Sequence, residues 1–335
     1  MNKRKLQLLF NQQKSSLYLD FSTVVDGALP KFTGATWAVS SGVVINTPVL
    51  GNELTSNGNM ETGDPPTGWP NFAGSIPSSF AEERTGGAGT KSLKVARDAS
   101  DFPYAAQNLT VAVGDWILLN GWFKNVDVVS QYMQLRNIGY GAISSINLNS
   151  ASWVNQKIVG RATETTIRVF LGLNATGKAD GTYGLFDDIS AKKITTADMF
   201  AKLSTKFSSA LVVRAAWNIT DAVFQAGVVG WWDGTNALQN CLVAYHNKTK
   251  VYLDKYVGTT LTNLINSTVA HVPGANVEIR RVTGTNTFQL YYGGVQIGTD
   301  QTVSDAAIIN NGYFGLFSVG SSNQCDSFYV GRSPL

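Results

Sequence analysis

The sequence predicts an all-β chain of two β-sandwich (jelly-roll type) domains, one inserted into the other. Three observations carry that expectation. Charged residues make up 15% of the 335 residues and apolar ones 44%, whereas an ordinary soluble domain is roughly 25% charged. Glycine is abundant at 33 residues, beside plentiful Val, Thr, Ser and Asn, a mixture of β-branched residues and turn formers that suits many short strands. Short strand-like segments also recur along almost the whole chain with turn signals between them, while a ten-residue stripe of helical period is missing.

Residues 1–16 form a basic amphipathic arm, in which Lys3, Arg4 and Lys5 precede the apolar Leu6, Leu8, Leu9 and Phe10. Such a segment is either a frayed terminus or a docking arm that orders against a partner, with Lys3, Arg4, Lys5, Leu8 and Phe10 as its anchor. The apolar run is too short for an export signal and no small-residue cleavage site follows it. No stretch reaches the ~18 apolar residues of a membrane span. The expectation is therefore a chain made and kept in the cytoplasm, with no membrane insertion. A formal charge of +3, without a dense basic patch beyond the arm, argues against nucleic acid as a partner.

Residues 17–50 supply two strands, Leu17–Phe21 and Thr36–Ser40, with turns at Asp26-Gly27 and Ser41-Gly42. Two strands cannot bury a core alone, so they must pair with something further on. From Gly51 the texture turns glycine-rich, and strands are expected at Ser92–Arg97, Ala105–Val111, Trp116–Phe123, Gln131–Asn137, Ser152–Val159, Thr166–Leu173 and Leu185–Ser190. After Ile194 a second series follows: Ala210–Trp217, Ala226–Trp232, Leu242–His246, Val251–Tyr256, Asn276–Val282, Thr287–Tyr292, Gly312–Phe317 and Ser327–Val330. Ala197–Leu203 is the one helical candidate. Cys241 and Cys325 allow at most one bridge, and buried free thiols are the alternative. Neither His246 nor His271 has a second ligand residue at metal spacing.

Segment 51–193 resembles the family 4/9-type carbohydrate-binding modules. The resemblance runs in order through Leu54-Thr-Ser-Asn-Gly-Asn-Met-Glu61, Thr62-Gly-Asp-Pro-Pro-Thr-Gly-Trp69, Glu83-Arg84, Ser92-Leu-Lys-Val95, Gln107, Val113-Gly-Asp-Trp116, Gly121-Trp-Phe-Lys124 and Phe186-Asp-Asp-Ile189. Residues 17–50 plus 194–335 resemble a concanavalin-like (laminin-G-like) lectin sandwich. Its opening is Asp20-Phe21 and Trp37-Ala-Val-Ser-Ser-Gly42, and its close is Phe288–Val295, Gly312–Phe317 and Asp326–Gly331. Opening and closing strands flank the module, which implies insertion in a loop of the outer sandwich. The combination is similar to structural proteins of tailed-phage particles, where such modules serve as fibre, tail or capsid-surface appendages.

The resemblance implies a bacteriophage virion protein without enzymatic activity. Its expected partners are other virion proteins and surface glycans, held by weak multivalent attachment. A homo-oligomer is expected, trimers being common among appendages, though no heptad run encodes one. An architectural decoration protein without sugar binding and an accessory protein of a secreted polysaccharide-degrading system are the alternatives. Glycoside hydrolysis needs two carboxylates facing one cleft. The Glu-x-Asp-x-x-Glu strand motif of lectin-like glucanases is absent, and the adjacent pairs Glu82-Glu83 and Asp187-Asp188 would point to opposite faces.

Sugar binding needs aromatic faces for C–H surfaces, with amide and guanidinium groups for hydroxyls. Tyr132, Gln134 and Arg136 share one strand face by period-two spacing, and Tyr104 and Trp122 are candidates to join them. Trp122 has a core position as its alternative, and Trp69, Trp116 and Trp153 are assigned to the core. Of Trp231 and Trp232, which face opposite ways, at most one is expected in the core, the other serving as an oligomer contact or stacking platform. Modules of this kind often tie first strand to last with a structural calcium, which the resemblance places at Asn59, Glu61 and Asp188. Oxygen ligands suit that ion.

Overall fold

The computed structural model describes residues 16–24, 26–28, 32–33, 36–47, 49–72, 75–82, 84, 86–87, 89–139, 141–195, 199–220, 225–235, 240–258, 260–320 and 322–333. The virion-anchor residues Lys3, Arg4, Lys5, Leu8 and Phe10 lie outside them. The chain is all-β, and its strands pair antiparallel into four sheets among the described residues. It divides into two compact units, Met1–Val49 with Thr195–Leu335, and Leu50–Ile194.

In the Leu50–Ile194 unit a five-stranded sheet runs, in spatial order, Ala142–Leu148, Ser130–Asn137, Thr166–Asn174, Tyr104–Thr110, Asn71–Phe72. The second sheet runs Val154–Arg161, Trp116–Asn125, Tyr183–Ile194, Ser92–Arg97, Ser75–Phe80, with Leu50–Glu53 also paired to Tyr183–Ile194. Alternation along each strand sends one set of side chains inward. Ile117, Leu119 and Phe123 from one sheet join Met133, Leu135, Val169 and Leu171 from the other, with Met60 and Trp69, in a single buried cluster. Each such side chain contributes about 1.5–3 kcal/mol on full burial. Gly121 leaves room for the Ile189 side chain of the adjacent strand, which a Cβ would meet at 2.4 Å, while the Met133 sulfur across the core, at 3.6 Å, would be at ordinary contact.

In the other unit a nine-stranded sheet runs Gly27–Ala28, Trp37–Ser40, Val43–Asn46, Gln324–Gly331, Val212–Asn218, Ala275–Arg281, Thr287–Tyr292, Val295–Thr302, with Leu17–Asp20 also paired to Gln324–Gly331. A seven-stranded sheet runs Thr260–Thr268, Lys250–Val257, Asn240–His246, Ala226–Trp232, Tyr313–Ser318, Phe200–Leu203, Phe32–Thr33. Trp37, Trp217, Ile279 and Phe288 pack with Trp231, Leu242, Leu253 and Phe314 in its core. The segment expected to be helical is instead a strand at Phe200–Leu203, held between Tyr313–Ser318 and Phe32–Thr33. Ala201 and Leu203, two apart, enter the core, while Phe200 packs against Trp232 and Phe317.

The two adjacent tryptophans are both buried, Trp231 at 2% and Trp232 at 1% exposure, which corrects the expectation that at most one lies in the core and the other serves as an oligomer contact or stacking platform. Trp231 packs on Phe288 and Phe314, and Trp232 lies beside Phe200. They do face different neighbours, but both faces of the strand are covered. Trp153 is half-buried and absent from the core cluster, unlike Trp69. Cys241 and Cys325 are both buried.

Candidate functional site

The outward face of the five-stranded sheet in the Leu50–Ile194 unit carries its aromatic and polar groups in rows set by register. Tyr132 pairs with Gly172, which pairs on its other side with Tyr104. Gln134, Phe170 and Ala106 make the next row, and Arg136, Arg168 and Asn108 the third. Residues two apart point the same way, so these side chains share one face while Met133, Leu135, Val169 and Leu171 face the core.

Phe170 is the hub of the patch; it and Tyr104 are buried, at 3% and 7% exposure, with half-buried Tyr132 packed against them. Tyr104 stacks on it with ring centroids 3.8 Å apart, and Tyr132 lies nearly parallel to it at 5.7 Å and 15°. The Arg136 guanidinium sits 4.7 Å from the same ring, within the range of a cation–π contact. Gly172 provides the floor: a Cβ there would meet the Tyr132 ring atoms Cε2, Cζ and Oη at 2.3, 2.4 and 2.6 Å. Burial, opposed by Arg136 and assisted by Tyr104, pushes the Tyr132 hydroxyl up to about 12, so it remains neutral at physiological pH.

Beside this patch lies an open hollow of about 340 Å³ lined by Phe102, Ser130, Tyr132, Gln134, Arg136, Ala142, Asn147 and Asn174. Phe102 is 56% exposed. Gln134 donates to Ser145 Oγ at 3.1 Å, while its buried amide oxygen has no hydrogen-bond partner. The lining contains amides, hydroxyls, a guanidinium and aromatic rings, and no carboxylate.

Tyr104, Tyr132, Gln134 and Arg136 are therefore brought together, and Trp122 is not. Trp122 lies on the Trp116–Asn125 strand of the other sheet, where its neighbours Gly121 and Phe123 face the core and turn it outward on the far side of the sandwich. There the Arg84 guanidinium lies 4.6 Å from its ring and pairs with Asp188. Phe170, Arg168 and Gly172 were not anticipated from sequence. The period-two series Arg168, Phe170, Gly172, Asn174 along a predicted strand was the available signal.

The residues for calcium fit that ion poorly. Glu61 Oε1 accepts from the Thr90 and Lys91 backbone N–H groups, both at 2.8 Å. These bonds outweigh the upward pull of burial and hold the Glu61 carboxyl below its usual value. Asp188 is paired with Arg84 and Asn59 is exposed. Among the described residues no three His, Cys, Asp or Glu side chains converge where a metal ion would sit.

No family model matches the chain, and no curated protein does. Among solved structures it is similar to an arabinose-bound α-L-arabinofuranosidase, at 13% identity over 43% of this chain and 27% of that one, with a TM-score of 0.36. The enzymatically active domain of tailspike protein 4 from bacteriophage CBA120 is similar at 10% identity over 42% of this chain and 21% of that one, TM-score 0.34. The chain thus spans about a quarter of the length of either. A family 61 carbohydrate-binding module in complex with β-1,4-galactotriose aligns at 16% identity over 43% of this chain and 99% of that one, TM-score 0.34.

Proposed function

We propose that the Leu50–Ile194 unit binds carbohydrate at the hollow beside Phe102, Tyr132, Gln134 and Arg136, and that the protein is a non-enzymatic adhesion component. The observation that carries this reading is an open, carboxylate-free hollow in which exposed Phe102 and half-buried Tyr132, the latter backed by the buried rings of Phe170 and Tyr104, stand beside Gln134 and Arg136. Pyranose rings offer C–H surfaces to aromatic faces and hydroxyls to amides and guanidinium groups, and the two kinds of group stand side by side here. A lining without a carboxylate supports binding over glycoside hydrolysis, which needs a pair of them.

The setting that fits best is the surface of a tailed-phage particle, where many copies would turn weak sites into firm attachment through effective concentration. Its support is the ordered sequence resemblance from Leu17 to Trp69. Residues 1–16 would dock the chain to other virion proteins, and deleting them should abolish incorporation into particles; unchanged incorporation rejects that role.

The deciding experiment is glycan-array binding by the full chain presented multivalently, followed by titration of the best ligand. Tyr132→Ala and Gln134→Ala should each weaken binding by about tenfold or more, equivalent to about 1.4 kcal/mol. No binding by the multivalent wild-type chain would reject the reading and leave an architectural protein.

A further inference from the structure

Resting on the reading of this hollow as a glycan site, we infer that its ligand is a linear polysaccharide, held through a run of at least three consecutive sugars laid along the Ser130–Asn137 strand. The observation is the shape of the hollow. Ser130, Tyr132, Gln134 and Arg136 all line it, and these are successive outward positions of one strand. Six residues of strand span roughly 20 Å. Across the strands the hollow is narrow. Among the described residues its remaining strand-borne lining comes from the two immediate neighbours, with Asn174 opposite Ser130, Asn147 opposite Tyr132 and Ala142 opposite Arg136. Two strand spacings measure roughly 9.5 Å, so the long axis follows the strand.

The route across the sheet is filled. A chain crossing towards the Tyr104–Thr110 strand would pass over Gly172 and Phe170 of the intervening Thr166–Asn174 strand. The Tyr132 ring already lies over Gly172, where a Cβ would collide with it. Over Phe170 stands the Arg136 guanidinium, 4.7 Å from the ring, and Phe170 itself is buried. Tyr132 and Arg136 therefore wall the hollow on that side, and Tyr104 lies behind the wall.

Along the strand the hollow has an aromatic end and a polar end. Phe102 stands at the Ser130–Asn174 end and is exposed. Its backbone is bracketed there: Ala175 N–H donates to Asp101 O at 2.8 Å, and Leu173 N–H to Pro103 O at 3.0 Å. A ring on so fixed a backbone meets a ligand with little ordering left to do, which favours affinity. Tyr132 follows Ser130 one row on, then Gln134, then Arg136. Successive rows are two residues apart, roughly 6.5–7 Å along the strand, and each interval is comparable to the span of one sugar with its linkage. The pose follows from that order. One sugar lies between Phe102 and Tyr132, a second beside Tyr132 and Gln134, and a third offers its hydroxyls to the Gln134 amide and the Arg136 guanidinium. A lone sugar would fill one interval and leave the others to water.

The test is calorimetric titration of the full-length chain with an oligosaccharide series, from monosaccharide to hexasaccharide, cut from the polysaccharide it binds best on the array. Affinity should rise about a hundredfold or more from monosaccharide to tetrasaccharide and level off beyond it. Phe102→Ala, which truncates an exposed side chain, should weaken disaccharide and tetrasaccharide alike by about tenfold. Ala142 is exposed at the far end of the hollow, opposite Arg136. Ala142→Leu narrows that end, so it should leave the disaccharide untouched and remove most of what the tetrasaccharide gains over it. Both variants should melt with the wild type. A monosaccharide bound as tightly as the tetrasaccharide, or an Ala142→Leu chain that keeps the full gain from lengthening, overturns this inference and leaves the glycan-binding reading standing. A chain that binds no polysaccharide on the array overturns both.

Discussion

The Gly172→Ala substitution tests the geometry of the face more sharply than removing any of its functional groups. The new methyl carbon would stand 2.3–2.6 Å from three atoms of the Tyr132 ring. Carbon contacts settle at about 3.5–4.0 Å, so the ring must retreat by about 1 Å or more. It then loses its near-parallel contact with Phe170, worth about 0.5–1.5 kcal/mol, and its tilt off rotamer costs a similar amount. Against this, replacing a strand glycine by alanine stabilises by about 0.4–1 kcal/mol through the unfolded chain. The net expectation is a loss of about 1–2 kcal/mol, or roughly 2–8 °C in Tm for a unit of this size, with glycan affinity reduced by about tenfold or more. Calorimetry and titration on Gly172→Ala, Tyr132→Ala and the double variant read both effects. In the Tyr132→Ala background the clash has no partner, and Gly172→Ala should become neutral or stabilising. An equal cost in both backgrounds, or none in either, would refute the placement of Tyr132 over Gly172.

Three further outcomes are expected. Burial, with His271 alongside, lowers His246 to about 4 from an ordinary 6.5, so the unfolded chain takes up its proton first as pH falls. Stability is then complete above pH 6.5 and declines towards pH 4 by up to about 3 kcal/mol; urea unfolding at pH 7.5, 5.5 and 4.5 should show the slope in wild type and lose it in His246→Gln, and a flat wild-type profile contradicts the reading. Trp232→Ala should cost about 3–5 kcal/mol as a buried truncation, whereas a near-neutral denaturation midpoint would return Trp232 to the surface. Because Glu61 and Asp188 already hold protein donors, calcium and chelator should give superimposable melting curves; a rise of several degrees with calcium would show that the two carboxylates rearrange around the ion.

How far the fold and face were legible depended on where each strand sits. Central strands such as Trp116–Asn125 and Thr166–Asn174 bury one face against the core, so apolar alternation marks them. Ser75–Phe80, Ala142–Leu148, Thr260–Thr268 and Val295–Thr302 escaped notice, and each is the edge strand of its sheet. Edge strands lean on little core, and the last two are largely exposed; Ser75–Phe80 also carries Pro77, which edges tolerate. The same logic divides the candidate site. Tyr132, Gln134 and Arg136 are neighbours on one strand, so local period places them together. Phe170, Arg168 and Gly172 join them only through register with a strand more than thirty positions away, which no local pattern encodes. Trp122 was misplaced for the complementary reason: alternation gives the face of a strand but not the sheet it belongs to.

The strand at which the chain enters the Leu50–Ile194 unit lies beside the one by which it leaves, with Leu50 opposite Ile194, and Thr195 N–H then bonds Val49 O at 3.1 Å. This pairing bears on the order of folding. Leu17–Asp20 must find Gln324–Gly331, and closing an unfolded loop as long as the module costs roughly 4 kcal/mol of chain entropy. Once the module has folded, its two ends stand about 5 Å apart, and the intervening residues no longer count as slack. Early folding of the inner unit thus works as a staple for the outer one. A substitution that loosens the Leu50–Ile194 pairing should slow assembly of the nine-stranded sheet without touching any residue in it.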